Sequence, residues 1–155
     1  MKTLLHALLL ACLTVVATAA DRPYDETADA RLDIKNAQKE ATAAKTPIII
    51  VFGANWCGDC KALSTAMQTG ASAPLLSRDF KTVKVDVGRF DKNLDLAKEY
   101  GVPLDKGIPT VAIVSAGNDV LYVTREGELA NARALGDKGI YEFFKRVTAQ
   151  ANAKK

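Results

Sequence analysis

Two cysteines separated by two residues have the clearest chemical potential in the sequence. Cys57 and Cys60 enclose the dipeptide Gly58-Asp59. On a helical turn, residues three apart have Cα atoms about 5–6 Å from each other, which is the separation found in disulfides. The pair can therefore exist as a dithiol or as a disulfide, and the chemistry it offers is thiol–disulfide exchange.

A helix that begins at the pair gives its two sulfurs different roles. Cys57 lies at the helix N-terminus, where free backbone N–H groups and the helix dipole lower the pKa of a thiol. We therefore expect Cys57 to be exposed and to act as the nucleophile. Leu63 and Met67 follow Cys60 at helical spacing, so we expect Cys60 to be buried and to resolve the mixed disulfide.

Other uses of such a pair fit the rest of the sequence less well. Zinc takes four ligands, and beyond residue 20 the chain has neither a histidine nor a third cysteine, so a metal site would need carboxylates or a second chain. We expect no metal and no organic cofactor. A structural disulfide remains open, although closing so short a loop adds little stability. The missing histidine excludes Ser-His-Asp and Cys-His catalysis.

The first twenty residues have the pattern of a secretory signal peptide. Lys2 is followed by an apolar run to Val16 and by small residues up to Ala20, where we predict cleavage. The segment is short for a membrane helix. Lipid attachment through Cys12 is an alternative, because residues 9–12, LLAC, partly resemble a lipobox. We predict one domain over residues 21–155, periplasmic or secreted, or lipid-anchored through Cys12.

Composition narrows the class of protein further. The 155 residues carry 21 basic and 18 acidic side chains, a formal net charge of +3, and 48% hydrophobic residues. Length and balance fit one globular domain and argue against disorder. The charges are interspersed and form no basic stripe, so we expect no nucleic-acid partner. We also expect no membrane span in the domain itself.

The elements that must position the cysteines alternate between helix and strand. A surface helix is predicted within residues 25–45, with a thin apolar stripe of Leu32, Ile34, Ala37 and Ala41. The run 48–52, IIIVF, is typical of a central strand covered on both faces. Beyond the CxxC helix, we predict strands over 81–87, 110–114 and 120–123 and helices over 93–100 and 137–149. This order predicts an α/β fold.

The segment 48–63, IIIVFGANWCGDCKAL, resembles the active-site strand, turn and helix of the thioredoxin family. A second motif agrees with it: residues 100–102, Tyr-Gly-Val, then a short insertion, then residues 107–110, Gly-Ile-Pro-Thr. The resemblance covers about residues 30–150. It implies a thioredoxin fold, a central mixed sheet flanked by helices on both faces, and a cis Pro109 beside the disulfide.

The resemblance also implies how substrates bind. With Pro109 cis at the start of a strand, the backbone of Ile108 is available beside Cys57, and an extended substrate segment can pair with it. Trp56 covers the disulfide and forms part of the docking surface. The expected partners are protein disulfides and a membrane-embedded electron donor, and the chain is expected to be a monomer.

Departures from the family pattern bear on the direction of the reaction. Val51 occupies the position of the family's buried acid, and Lys84, at the position of its partner lysine, is expected to face water. Asp59 replaces a proline, and its carboxylate disfavours a neighbouring thiolate and so favours the disulfide. The Gly58-Asp59 dipeptide also lacks the histidine of isomerases and strong oxidants. We therefore favour a protein-disulfide reductase, with isomerase or oxidase as alternatives.

A function of another class remains open. The insertion 103–106 and the polar segment 125–137 are surface segments near the expected site, where specificity commonly resides. They would also fit a chaperone-like or assembly module for which the CxxC pair is dispensable.

Overall fold

The computed structural model describes residues 22–153 and shows four strands in one mixed sheet. The strands are β1 Ile48–Gly53, β2 Lys81–Asp86, β3 Thr110–Val114 and β4 Val120–Val123. Their order across the sheet is β2-β1-β3-β4. β1 runs parallel to β2 and antiparallel to β3, and β4 pairs antiparallel with β3. The predicted α/β fold with a central mixed sheet is confirmed.

Five helices cover the sheet: α1 Ala30–Ala44, α2 Gly58–Thr69, α3 Ala73–Asp79, α4 Leu94–Glu99 and α5 Ala132–Asn152. α2 and α5 pack against each other on one face, and α1 packs along β2 on the other. Arg31 of α1 binds Asp95 and Glu99 of α4 at 2.6 and 2.9 Å. The helices thus form a layer on each face of the sheet, as the fold class requires.

The central position of β1 explains its sequence. All six of its residues are buried, because neighbouring strands flank it on both edges and helices cover both faces. The uninterrupted apolar run 48–52 predicted this burial correctly. Nearly continuous apolar sequence is what a strand in such a position requires.

The stripe predicted for α1 is wrong at one position. Ile34, Ala37 and Ala41 are buried, but Leu32 is 51% exposed and Ala30 is buried instead. Leu32 lies two residues before Ile34, which on a helix turns its side chain to the opposite side. The helix begins at Ala30, within the predicted segment 25–45, because Asp29 caps it by accepting a hydrogen bond from the Leu32 N–H.

Two other elements differ from the prediction. Helix α3 was not predicted. The closing helix was predicted over 137–149, but α5 spans Ala132–Asn152 and contains a kink at Gly136, with φ 63° and ψ 179°. Since that conformation suits glycine, two helical segments join there. Part of the polar segment 125–137 is therefore helical.

The predicted signal peptide, residues 1–20, lies outside the described residues. Between residues 22 and 153, the structure contains no helix long and apolar enough to cross a membrane.

Candidate functional site

The two cysteines lie at the start of α2, just after the turn that connects it to β1, and they are joined by a disulfide. Their Cα atoms are 5.2 Å apart, within the range that the CxxC spacing predicted. Cys57 is the N-cap of α2, with extended backbone, and its Sγ accepts a hydrogen bond from the Cys60 N–H at 3.1 Å. The first turn of the helix therefore directs a backbone N–H at the sulfur that would carry the thiolate charge.

The burial of the two sulfurs agrees with the prediction for one cysteine only. Cys60 is fully buried in the core, as expected, but Cys57 is only 6% exposed, and the prediction that it is exposed is wrong for the disulfide form. The side chain of Cys57 folds back over the first turn of α2, and its Sγ lies 3.5 Å from the carbonyl oxygen of Ile108. That neighbouring loop shields the sulfur.

Ile108 and Pro109 lie directly beside the disulfide. The peptide bond between them is cis. The pairing of β3 begins only at Thr110, which is opposite Phe52 of β1, so Ile108 precedes the hydrogen-bonded ladder. The structure thus brings the second sequence motif to the CxxC motif.

Trp56 is half-exposed at the rim of the site and is held by the loop that follows β2. Its Nε1–H donates to the carbonyl oxygen of Gly88 at 2.7 Å. The Phe90 ring meets it edge-on at 6.0 Å, and the Arg89 guanidinium lies 6.0 Å from the ring centre. Phe90 has a φ of 64°, which is uncommon for a bulky residue. This loop was not predicted to contribute to the site.

An apolar groove of about 770 Å³ runs from Phe90 past α4 to the turn before Pro109. The insertion noted in the sequence forms a 3-10 turn, Leu104–Lys106, along its wall. Two large apolar side chains at its rim, Phe90 and Leu94, are exposed. The groove and Trp56 together form an apolar surface beside the disulfide.

Asp59, between the two cysteines, is bound by a residue that sequence reasoning missed. The Arg133 side chain donates to both carboxylate oxygens, from Nε at 3.3 Å and from Nη2 at 3.0 Å, and its backbone N–H donates at 2.9 Å. These hydrogen bonds, chiefly those of the side chain, lower the pKa of Asp59. The carboxylate is thus charged but paired, whereas the sequence suggested an unpaired one.

Arg133 also lies over the glycine of the dipeptide. A Cβ placed at Gly58 would be 3.2 Å from the guanidinium carbon. Nothing in the sequence connects residue 133 with the CxxC motif beyond its place in the polar segment 125–137. Only the kinked start of α5 brings it there.

Tyr24 forms the rear wall of the site behind Cys60. A Cβ at Gly53 would overlap the Tyr24 hydroxyl and would lie 3.0 Å from Cys60 Sγ. Asn55 holds the backbone of Tyr24 in place, accepting from its N–H at 3.0 Å and donating to its carbonyl at 2.8 Å. The sequence reasoning missed Tyr24. The signal was a glycine at the end of a buried strand, which often marks a close approach.

Val51 occupies the position of the family's buried acid, as the sequence showed. The environment of Lys84, its neighbour on β2, differs from the prediction. Val51 is buried and pairs with Lys84 of β2. Lys84 was expected to face water, but it is half-buried and donates from Nζ to Ser64 Oγ of α2 at 2.5 Å. Burial lowers the pKa of Lys84. The pairing places its side chain on the sheet face covered by α2, which the sequence could not show.

Comparison with known proteins agrees with this geometry. The family model described as Thioredoxin matches residues 30–135. The crystal structure of a disulphide isomerase from Xylella fastidiosa Temecula1 is 46% identical, with a TM-score of 0.78, and the match covers 81% of this chain and 96% of that one. The chain belongs to the thioredoxin family, and it is a thioredoxin-like thiol-disulfide oxidoreductase.

Two relatives show how far the similarity extends. Thioredoxin from Pseudomonas aeruginosa is 28% identical over 97 residues, covering 62% of this chain and 80% of that protein. Protein disulfide-isomerase from Ricinus communis is 30% identical over 147 residues, covering 93% of this chain. The match spans only 27% of that isomerase.

Proposed function

We propose that the protein is an exported protein-disulfide reductase in which Cys57 is the nucleophile and Cys60 resolves. The observation that carries this proposal is the placement of Cys57 Sγ at the first turn of α2, where the Cys60 N–H donates to it at 3.1 Å. A donor at that position stabilises a thiolate on Cys57. Cys60, buried behind it, is positioned to attack only a disulfide formed on Cys57.

The reaction starts from the dithiol and ends with the disulfide. The Cys57 thiolate attacks one sulfur of a substrate disulfide, and the other substrate sulfur leaves as a thiolate that takes up a proton. Cys60 then attacks Cys57 Sγ, and the second substrate thiol is released. The substrate gains two electrons and two protons, and the CxxC pair loses them. A membrane-embedded donor would return the pair to the dithiol.

Substrates would bind across Trp56 and the backbone of Ile108. An extended segment can pair with Ile108 beside Pro109, because that backbone precedes the β3 ladder. The apolar groove next to Phe90 would take a neighbouring apolar side chain. Both features favour unfolded or extended protein segments as substrates.

The direction of the reaction rests on the residues between the cysteines. Gly58 and Asp59 contain no histidine to stabilise the thiolate, which argues against a strong oxidant. Disulfide isomerase is the second candidate, and it is favoured by the name of the 46% identical structure. Arg133 also favours the isomerase, because its positive charge offsets the negative charge of Asp59, on which the prediction of a low reduction potential depends.

Two measurements test the proposal. Cys60→Ser should accumulate mixed disulfides between Cys57 and protein substrates, whereas Cys57→Ser should accumulate none. The reduction potential of the pair, titrated against glutathione or dithiothreitol, should lie near or below about −220 mV for a reductase. A value near about −180 mV would support the isomerase and one near about −120 mV an oxidant, and either would overturn the reductase.

A role that does not use the thiols would give a different result. If cells keep the protein's function with Cys57→Ser, the surface formed by the insertion and the polar segment 125–137 is responsible, and the enzymatic proposal fails.

Export is tested separately on the full chain. We expect the mature protein to begin at about residue 21, in the periplasm or the medium. Intact mass of the exported product identifies the cleavage site, and a lipid adduct that is lost in Cys12→Ser would establish the anchored alternative.

A further inference from the structure

Two buried polar atoms behind the disulfide lack hydrogen-bond partners within residues 22–153. They are the hydroxyl of Tyr24 and Oδ2 of Asp86. Tyr24 is 2% exposed and Asp86 is 5% exposed. Buried polar groups are almost always hydrogen-bonded, and each exception calls for an explanation, of which a catalytic role is one. Both atoms belong to residues outside the cysteine motif.

The strand pairing places both groups on the same side of the sheet as Cys60. Lys84 of β2 contacts Ser64 of α2, which identifies the face covered by α2. Side chains two residues apart on a strand share a face, so Asp86 points to the same side. Asp86 is the partner of Gly53 in the parallel β1–β2 register.

Gly53 brings the three groups together. It has no side chain on this face, and the space beside its Cα is occupied by the Tyr24 hydroxyl and by Cys60 Sγ. Asp86 lies across from it on the next strand. The Tyr24 hydroxyl and the resolving sulfur thus both border Gly53, on the strand pair that ends in a buried carboxylate.

The resolving step needs a base at this place. Cys60 is fully buried, and it must lose its proton before it can attack Cys57. Its side chain has no exposed surface in the disulfide form, and Val51 on the same face of β1 is apolar. Burial, and next the charge of Asp86, raise the pKa of Tyr24, so its hydroxyl remains protonated and can pass a proton on without holding the charge.

We propose that Asp86 is the base for Cys60 and that the Tyr24 hydroxyl relays the proton between them. The proposal rests on the dithiol–disulfide exchange proposed above. The Cys60 thiol gives its proton to the Tyr24 oxygen as the Tyr24 O–H proton passes to the Asp86 carboxylate. The Cys60 thiolate then attacks Cys57 Sγ, and the substrate thiolate leaves. Asp86 afterwards releases its proton to water.

Charged groups around Asp86 set the conditions for this transfer. Lys92 Nζ lies 3.5 Å from Oδ2 and reaches it from the solvent side, since it is exposed and also donates to the Glu26 carbonyl at 3.1 Å. Lys84 shares the strand face and is bonded to Ser64. Asp86 therefore releases its proton to solvent on the side where Lys92 lies, away from Cys60 Sγ.

A single-turnover reaction separates the two steps. Reduced protein is mixed with an aromatic disulfide whose thiol product absorbs visible light. The first equivalent released reports attack by Cys57, and the second reports resolution by Cys60. With Tyr24→Phe and Asp86→Asn, we expect the second phase at neutral pH to slow about tenfold or more and the first to change less than about twofold.

The control is Tyr100→Phe. Tyr100 is also a buried tyrosine, but its hydroxyl donates to Asn118 in the hairpin at the opposite end of the sheet, and both phases should match the parent. If neither Tyr24→Phe nor Asp86→Asn slows the second phase, the proposal is wrong. If Asp86→Asn alone does so, the relay through Tyr24 is wrong.

The outcomes distinguish this proposal from the function on which it rests. A parent protein that releases no thiol in either phase would contradict the exchange reaction itself. A measurement without substitution covers the case of a variant that does not fold: at neutral pH the ¹³C carboxyl chemical shift of Asp86 should differ between the dithiol and disulfide forms. The same chemical shift in both forms would overturn the role of Asp86.

Discussion

Arg133 binds the carboxylate of Asp59 with three hydrogen bonds, from a helix that begins more than seventy residues after the cysteines. The contact joins α5 to the first turn of α2. It also changes the electrostatics of the dithiol, because the negative charge between Cys57 and Cys60 is accompanied by a positive one. The potential of the pair therefore depends on both residues and not on the dipeptide alone.

Single substitutions of these two residues should move the reduction potential in opposite directions. Asp59→Asn leaves the positive charge of Arg133 alone near Cys57, which stabilises the thiolate and raises the potential. Arg133→Gln leaves the carboxylate alone and lowers it. Each change should be about 15–30 mV, since 30 mV corresponds to about 1.4 kcal/mol. Equilibration with glutathione measures both.

The double variant is the control for that pair. Asp59→Asn with Arg133→Gln should give a potential between those of the single variants. Shifts of the same sign in both single variants would contradict the electrostatic explanation.

The same contact should make stability depend on pH. Hydrogen bonds from Arg133 lower the pKa of Asp59 in the folded state, so the pair stabilises the fold above the carboxyl's ordinary pKa and loses this effect as pH falls through the lowered value. Denaturant unfolding of the parent and Arg133→Gln should differ at neutral pH and converge in acid. The difference should be small, because Arg133 is 69% exposed and solvent screens the pair. A difference independent of pH would refute this.

Sequence reasoning identified two motifs that the structure brings together, and it missed the residues that surround them. Cys57, Cys60, Trp56, Ile108 and Pro109 lie in two short motifs whose spacing is local. Their neighbours come from distant segments, Tyr24 before α1 and Arg133 at the start of α5, and only the tertiary fold brings them to the site. A local pattern can indicate what a residue can do, but not which side chain from elsewhere will contact it.

Gly53 should not tolerate a side chain. A Cβ there would overlap the Tyr24 hydroxyl and crowd Cys60, so Gly53→Ala should lower the free energy of unfolding by about 1–3 kcal/mol. Gly117→Ala, in the β3–β4 hairpin, is the matched control, since the nearest atoms would be 3.5 Å from its Cβ. Denaturant unfolding of the oxidised proteins measures both. Equal stabilities would show that Tyr24 moves aside freely.

The groove next to Phe90 should affect substrate affinity and leave the redox chemistry unchanged. Leu94 is exposed at its rim, and Leu94→Glu places a charge where an apolar side chain of the substrate would bind. We expect a higher KM with an apolar peptide disulfide and an unchanged reduction potential. Leu32→Glu, on the exposed side of α1, is the control. A changed potential or an unchanged KM would remove the groove from the binding surface.

The fold itself was predictable where the sequence is periodic or strongly apolar. The buried run of β1 and the β3–β4 hairpin agree with the prediction. The short helix α3 was missed because only Leu76 of its seven residues is buried, so the sequence shows no apolar stripe there. The early start of α5 was missed because Gly136, a kink within the helix, separates its first turn from the predicted segment 137–149.

The place of Tyr24 has a practical consequence for anyone who isolates only the part of the chain that matches the family model. The family match begins at residue 30 and ends at residue 135, so a fragment cut at those limits retains both cysteines and the central sheet. It omits Tyr24 and most of α5. Such a fragment would leave Cys60 open to solvent, and its reactivity would describe a truncated site and not the site of the intact protein.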